Sequence, residues 1–394
     1  MFDTCLILAG GRGQRLRPLT DTVPKPLIKV NGRSIIEYQI DQLTRQGIQN
    51  FLVLTGYKAN AFEELEEKYK AISHIHVSTF ETPANYLTLR RIFLSRHLLY
   101  GDILILYGDN YAEVDAAEIY KKFKYRGEWY DAISVLAAKR KNSESKQREF
   151  IDHIESYNPY ASVRPTSVDI GFFCLEASFL RKLLDHESID LDQKFEDWYF
   201  SNPSIRRSYH PYFWSYLSIT DKKSLMEAEA FFNSRITLFT DRDGVLVNSV
   251  SRSKYITEIS DLAFNFSLLA NIGLSNKKIE RIIIVTNQAW ASGSSLIYSR
   301  IARYVERVVK EQTGVTNVET LTCMHAIEER CDCRKPKPML MLEYLNNLPI
   351  PLMPSHAHMF GDSSSDLGFA KHLMLGYTNV LDADTAKVRT WFQD

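Results

Sequence analysis

Two segments of this 394-residue chain set a polar, glycine-bearing loop directly behind a short apolar run. Residues 6–27 read LILAGGRGQRLRPLTDTVPKPL, and residues 236–248 read ITLFTDRDGVLVN. A buried strand that ends in such a loop is how an α/β sheet meets its ligand, because the crevice lies beyond the carboxyl ends of the strands. Two such beginnings predict two α/β domains, and 394 residues exceed what one core ordinarily serves.

The pattern between the loops supports this division. Short β-rich runs at 5–8, 51–55, 76–80, 103–107 and 133–137 alternate with amphipathic stretches at 34–46, 59–70, 85–97 and 115–125. Later strands are expected at 168–175 and 212–219, and a closing helix at 221–234. Ser34 reads as an N-cap and Gly47 as a stop. Alternation of this kind predicts a mainly parallel sheet covered on both faces. A second series starts at once, with strands expected at 236–240, 282–286, 318–323 and 358–361. The expected domains are 1–234 and 235–394, both doubly wound. No Gly/Pro/Ser-rich linker separates them, so the expectation is domains packed together.

The charge balance, 48 basic against 48 acidic residues, argues against a general nucleic-acid or membrane-surface binder. Phosphate recognition must then come from local sites. No apolar run is long enough to span a bilayer. The initial CLILA runs straight into Gly and Arg and reads as a strand, not a signal peptide, which predicts a cytoplasmic protein.

In the first loop, Gly10, Gly11 and Gly13 free backbone N–H groups to approach phosphate oxygens. Arg12, Arg15 and Lys25 add charge where a triphosphate would lie. The string LAGGRGQRLRPLT followed by PKPL resembles the sugar-phosphate nucleotidyltransferases, which make nucleotide sugars, over about residues 1–234. The resemblance implies that Gly10, Gly11 and Gly13 hold a nucleoside triphosphate, that Arg15 contacts its phosphates and that Lys25 sits near the reacting phosphates. It implies that Asp109, in ILILYGDN, holds magnesium. Two positions depart from that family. Ser156-Tyr157-Asn158-Pro159 stands where relatives carry Glu-Lys-Pro, and Ser218 stands where they carry a second metal-binding aspartate. Asp169 and Asp221 are candidate substitutes. The segment 81–85, where relatives contact base or sugar, is too divergent to name the nucleotide.

In the second loop, Asp241 and Asp243 stand two residues apart beyond a strand, with Gly244 to turn the chain. Such a pair suits phosphoryl transfer, with Asp241 as nucleophile and Asp243 as acid and then base. Thr286 ends the run IIIVT, Lys335 lies in CRKPKP, and Asp362 opens GDSSSD. That order resembles the haloacid dehalogenase phosphatase superfamily over about 235–394. The resemblance implies magnesium held by Asp241, Asp362 and the Asp243 backbone, with Thr286 and Lys335 on the transferred phosphoryl group. Asn287 and Gln288 are the implied substrate contacts. The stretch from 248 to 282 is too short for a large cap domain.

Five cysteines are present, three of them within eleven residues beside His325. Cys323-x-His325 and Cys331-x-Cys333 put paired side chains on one side of an extended segment, so the two pairs can close a tetrahedral zinc site. Four protein ligands make that zinc structural. This loop followed by RKPKP closely resembles the D,D-heptose 1,7-bisphosphate 7-phosphatases, and more distantly the histidinol-phosphate phosphatases. It implies that Arg334 recognises substrate phosphate. Relatives usually run SGIARG after TNQ, whereas residues 289–294 here read AWASGS. His356, His358 and His372 read as surface or packing residues.

Together the two resemblances imply a bifunctional enzyme. A 7-phosphatase would yield heptose 1-phosphate, and a nucleotidyltransferase would activate it, most plausibly as a GDP-heptose. The partners would be a sugar phosphate and a nucleoside triphosphate, with no nucleic acid and no membrane. The alternative is an active phosphatase fused to a non-catalytic nucleotide- or sugar-binding domain.

Overall fold

The computed structural model describes residues 1–78, 89–125, 130–138, 167–186, 189–212, 214, 216–248, 255–341, 344 and 352–381. The segments 81–85 and 156–159 lie outside the described residues, as does the start of the helix expected at 85–97. The chain divides into two units, Met1–Asn233 and Ser234–Asp394.

In the first unit, β1 (Thr4–Leu8) is hydrogen-bonded in parallel to Asn50–Leu54 on one side and to Asp102–Tyr107 on the other. All five of its residues are buried, so both of its faces are covered. His74–Ser78 extends the parallel run beyond Asn50–Leu54. On the other flank, Ser167–Glu176 runs antiparallel to both Asp102–Tyr107 and Ala132–Ala138, and Arg207–Tyr212 closes the edge. The seven-stranded sheet is therefore mixed, with one reversed strand in an otherwise parallel order. The apolar residues alternate as a pleat requires. Leu6, Leu8, Leu52, Leu54, Ile103 and Ile105 face one cluster, which Leu180, Leu184, Trp198 and Tyr199 complete.

The single strand expected at 212–219 is two strands. Arg207–Tyr212 joins the main sheet, while Leu217–Ser218 pairs only with Asn110–Tyr111. Pro211 cannot donate to a ladder and is tolerated because its strand is at an edge.

The helix Ile35–Arg45 begins with a capping box, in which the Ser34 N–H and hydroxyl both donate to Glu37 Oε2, each at 2.7 Å. Its buried stripe holds Ile35, Ile36, Ile40 and Leu43, but also Gln39 and Gln42. The second unit has a five-stranded sheet, parallel throughout, in the order Val318–Cys323, Ile279–Asn287, Ile236–Thr240, Ala357–Gly361 and Gly376–Asn379. The last strand, GYTN, has too little apolar or β-branched character to stand out in the sequence. Helices Phe266–Leu274 and Ser295–Thr313 bury Leu268, Leu269, Ile272, Ile301, Val305 and Val309 against Leu238, Ile282 and Ile284. Among the described residues, no helix is long and apolar enough to cross a membrane.

Replacing Ser34 by Ala removes one half of the capping box and should destabilise the first unit by about 1 kcal/mol. Hydrogen exchange should show faster global opening of the Met1–Asn233 amides, with those of Ser234–Asp394 unchanged.

Candidate functional site

The first centre lies at the carboxyl end of β1. Ala9 N–H donates to Leu54 O at 2.9 Å and Gly108 N–H to Leu8 O at 3.0 Å, which carries parallel pairing into both loops. Gly13 then takes a left-handed conformation, φ 59° and ψ 38°. A Cβ there would stand 2.9 Å from Thr20 Cγ2 and 3.0 Å from Lys25 Cβ, so only glycine lets these segments pack. Thr20 Oγ1 donates to Gly13 O at 2.9 Å and ties the loop down. A Cβ on Gly11 would meet nothing within 4 Å among the described residues. Gly10 is buried, and Arg15 is exposed on the short 3-10 helix Gln14–Leu16.

Lys25 and Asp109 meet here in an ion pair between partly buried side chains. Asp109 is held from behind by the Ile35–Arg45 helix. Gln39 Nε2 donates to Tyr107 O at 2.8 Å and also to Asn110 O, Gln42 Nε2 to Ala112 O at 2.6 Å, and Gln46 Nε2 to Val114 O at 2.9 Å. Gln46 Oε1 accepts from Ala116 N–H at 2.7 Å. Three glutamines thus stitch residues 107–116 to one helix. The sequence signal for them is the presence of Gln39 and Gln42 on an otherwise apolar helical stripe.

Ser218 pairs with Asn110, and Ile219 N–H donates to Asp109 O at 3.0 Å, so the serine does stand beside Asp109. Neither candidate substitute is a free carboxylate. Asp221 caps the helix Lys222–Phe232 and accepts from Ser224 N–H at 2.8 Å, and this bonding, helped by nearby Arg15, holds its carboxyl below the ordinary value. Asp169 accepts from Gly171 N–H at 2.8 Å. Among the described residues, no group of three metal-ligating side chains forms around Asp109.

The second centre lies at the carboxyl ends of Ile236–Thr240 and Ala357–Gly361. The Lys335 ammonium sits 3.0 Å from Asp241 Oδ1 and 2.6 Å from Asp366 Oδ1. Lys335 is 3% exposed and Asp366 is fully buried. Burial disfavours the ammonium, but the two carboxylates outweigh it and hold Lys335 above its ordinary value. Burial raises the Asp241 carboxyl, with Lys335 opposing and Asp366 adding to the rise. Asp362 is raised by burial and then by Asp366. Carboxylate oxygens of Asp241, Asp362 and Asp366 all lie within 4.8 Å of one another, a spacing one divalent cation could bridge. Gly244, at φ 86°, lies hard against this cluster: a Cβ there would fall 1.9 Å from Asp362 Oδ2.

The expected metal contact of Asp243 is its backbone, which leaves its side chain to other partners. Both of its oxygens are engaged by Arg242, at 2.8 Å each, and Oδ2 also accepts from Gln288 Nε2 at 2.7 Å. Asp366 is the third carboxylate of the cluster, and the GDxxxD spacing already carries it. Its Oδ2 accepts from Ser363 Oγ at 2.6 Å and its Oδ1 from Lys335. The Thr286 hydroxyl accepts from Gln288 Nε2 at 2.8 Å. Asn287 and Gln288, expected as substrate contacts, have their amides bonded within the protein. Asn287 Oδ1 accepts from Lys335 N–H at 3.1 Å, and its Nδ2 donates to Lys335 O at 3.2 Å. That clamp fixes the backbone of the lysine.

Next to it, Cys323, His325, Cys331 and Cys333 converge. The Cys323–Cys331, Cys323–Cys333 and Cys331–Cys333 sulfurs are 3.5, 3.4 and 3.5 Å apart. His325 Nδ1 lies 3.7 Å from Cys323 Sγ and 3.0 Å from Cys333 Sγ. A tetrahedral ion bonded to sulfur at about 2.3 Å separates its sulfurs by about 3.8 Å, so the cage is close to that size. None of these cysteines is in a disulfide. Lys337 Nζ donates to Arg330 O, Cys331 O and Asp332 Oδ1 at 2.9–3.0 Å, and Arg334 donates to His325 O at 3.2 Å. His358 is buried, with Nε2 2.9 Å from Thr378 Oγ1, and burial pushes it down to about 4.

Residues 4–145 match the family model for nucleotidyl transferases. The first unit carries a nucleotidyltransferase domain. Its relatives include a choline-phosphate cytidylyltransferase from Streptococcus pneumoniae, 47% identical over 64 residues, which are 16% of this chain and 28% of that protein. A bifunctional IPC transferase and DIPP synthase from Aquifex aeolicus is 29% identical over 187 residues, 45% of this chain and 40% of its own length. The chain thus spans less than half the length of these relatives. A mannose-1-phosphate guanyltransferase from Saccharomyces cerevisiae is 43% identical over 65 residues, 16% of this chain and 18% of that protein. Among solved structures, HddC from Yersinia pseudotuberculosis complexed with GMP-PN aligns at a TM-score of 0.46 and 19% identity, over 58% of this chain and 98% of its own.

Removing one member of the buried Lys335–Asp366 pair leaves an uncompensated charge. Lys335→Met should therefore destabilise the second unit by about 3–5 kcal/mol. The double variant Lys335→Met with Asp366→Leu should recover much of that loss. Denaturant titration of the wild type, both single variants and the double variant measures the coupling.

Proposed function

We propose that the chain is a bifunctional enzyme of nucleotide-sugar synthesis, with a phosphomonoesterase in the second unit and a sugar-phosphate nucleotidyltransferase in the first. The observation that carries the phosphatase reading is the cluster of Asp241, Asp362 and Asp366 beyond adjacent parallel strands, with Lys335 paired to Asp241 and Asp366. Asp241 would attack phosphorus while the bond to the sugar oxygen breaks, and Asp243 would give that oxygen its proton. Water would then attack the aspartyl-phosphate as Asp243 takes its proton, returning a free carboxylate and inorganic phosphate. Lys335 and Thr286 would hold the transferred group. Magnesium held by Asp241 and Asp362 would neutralise the charge on the phosphoryl oxygens.

We assign this unit to the haloacid dehalogenase type, with zinc in the Cys323–His325–Cys331–Cys333 cage. Zinc there would be structural and would fix the loop that bears Arg334 and Lys335. The proposed substrate is a heptose 1,7-bisphosphate, which would lose its 7-phosphate.

In the first unit, the sugar 1-phosphate oxygen would attack the α-phosphorus of a nucleoside triphosphate, here proposed as GTP, and pyrophosphate would leave. The Gly10–Gly13 backbone, Arg15 and Lys25 would position the triphosphate, and Asp109 would hold magnesium. The match of residues 4–145 to the nucleotidyl transferase model supports this half. A second reading, a first unit that binds a nucleotide without turning it over, is favoured by Ser218 beside Asp109, a hydroxyl where a carboxylate would serve the metal.

Both halves are tested by product release. Phosphate should appear from heptose 1,7-bisphosphate and disappear with Asp241→Asn, and pyrophosphate should appear from heptose 1-phosphate with GTP and disappear with Asp109→Asn. Pyrophosphate absent with all four nucleoside triphosphates would favour the second reading, and phosphate release from histidinol phosphate alone would change the phosphatase substrate. Metal analysis should find about one zinc per chain, falling on Cys331→Ser together with phosphatase activity. A zinc-free protein of full activity refutes the cage assignment.

A further inference from the structure

Trp290 lies in the stretch AWASGS, where this sequence parts from the phosphatases it resembles. Its indole N–H donates to Gln288 Oε1 at 2.8 Å. On its other side, the Gln288 amide donates from Nε2 to Asp243 Oδ2 at 2.7 Å and to Thr286 Oγ1 at 2.8 Å. Gln288 is 1% exposed, so water cannot readily replace any of these partners. An indole can only donate, so it demands this amide orientation in either protonation state of Asp243, and the ionised Asp243 carboxylate, an acceptor only, demands the same one. Turning the amide over would set its NH₂ against the indole N–H and its oxygen against the Asp243 carboxylate. Either contact alone would be repulsive in a buried setting.

A second chain of contacts closes the ring. Trp290 meets Tyr298 edge-on, with centroids 5.9 Å apart and planes at 77°. The Tyr298 hydroxyl lies 2.5 Å from Thr322 Oγ1, and the Arg242 guanidinium sits 5.8 Å from the Tyr298 ring centroid. Arg242, fully buried, grips both oxygens of Asp243. The Asp243 carboxylate is therefore held from two directions, and Trp290 stands behind both.

Resting on the phosphatase reading, we propose that Trp290 is a positioning residue: by fixing the Gln288 amide it aligns Asp243, which would move the proton, with Thr286, which would hold the phosphoryl group. Gln288 on this account is no substrate contact. Its hydrogen-bonding capacity is spent on keeping two active-site side chains in register. Because Trp290 acts through Gln288, its loss should slow the chemical step while leaving substrate affinity nearly untouched.

The test is a double-mutant cycle on the full-length protein, assayed with heptose 1,7-bisphosphate and with p-nitrophenyl phosphate. Trp290→Phe keeps a ring against Tyr298 and removes the N–H donor. It should lower kcat on the order of tenfold with KM within about twofold. Gln288→Leu should do at least as much, and the double variant should be no slower than Gln288→Leu alone. An unchanged Trp290→Phe enzyme, or a double variant in which the two losses multiply, overturns the proposal while the phosphatase reading stands. A wild type inactive on both substrates overturns the phosphatase reading and this inference with it. If Trp290→Phe does not fold, hydrogen exchange of the Trp290 indole N–H decides: it should be protected in the wild type and lose protection in Gln288→Leu. Equal exchange in the two proteins overturns the proposal.

Discussion

Strand Thr4–Leu8 and strand Ile236–Thr240 each have a parallel neighbour on both sides and a core on both faces. Their backbone groups are consumed by the ladders and their side chains by packing, so chemistry can be presented only where the strand runs out. Everything polar at the two centres follows from that restriction. The GGRG turn, Asp109, Asp241, Thr286 and Asp362 are all residues at or just past a carboxyl end. The supporting elements, the glutamine-bearing helix in one unit and the Lys335 loop in the other, exist to hold those ends still.

The two centres solve the problem of buried charge differently. At the second, the Lys335 cation is enclosed by Asp241 and Asp366, its backbone is clamped by Asn287, and its loop follows the converging side chains of Cys323, His325, Cys331 and Cys333. Lys335, at hydrogen-bond distance from both Asp241 and Asp366, offsets part of the cost of desolvating them. At the first, Lys25 and Asp109 retain some exposure, and the order comes from neutral donors: Gln39, Gln42 and Gln46 bond backbone carbonyls of residues 107–114. That centre is braced by amides, the other by ions.

Much of this was legible in the sequence because it depends on local spacing. The N-cap at Ser34, the strands that feed the two loops, and the i, i+2 pairs of cysteine and histidine need only near neighbours to be read. What was not legible depends on partners distant in the chain. The reversed strand Ser167–Glu176 carries no mark of its direction, since polarity is set by neighbours and not by composition. The strand Gly376–Asn379 is recruited by its pairing with Ala357–Gly361 despite weak propensity. The grip of Arg242 on both oxygens of the Asp243 carboxylate has no signal in the DRD string, because it depends on how the arginine side chain folds back. The bonds that Asn287 and Gln288 make to residues two to 48 positions away were equally invisible to local spacing.

Gly244 and Gly11 illustrate how unequal two glycines in similar loops can be. Any side chain at 244 would collide with Asp362 at 1.9 Å, whereas a methyl group at 11 would meet nothing within 4 Å among the described residues. For a lineage drifting by single substitutions, position 244 is a one-letter alphabet. At position 11 an added methyl group meets no described residue within 4 Å, so substitution to alanine there is filtered by what the loop must bind. A family of sequences sharing this fold should thus record structure at the first glycine and ligand at the second.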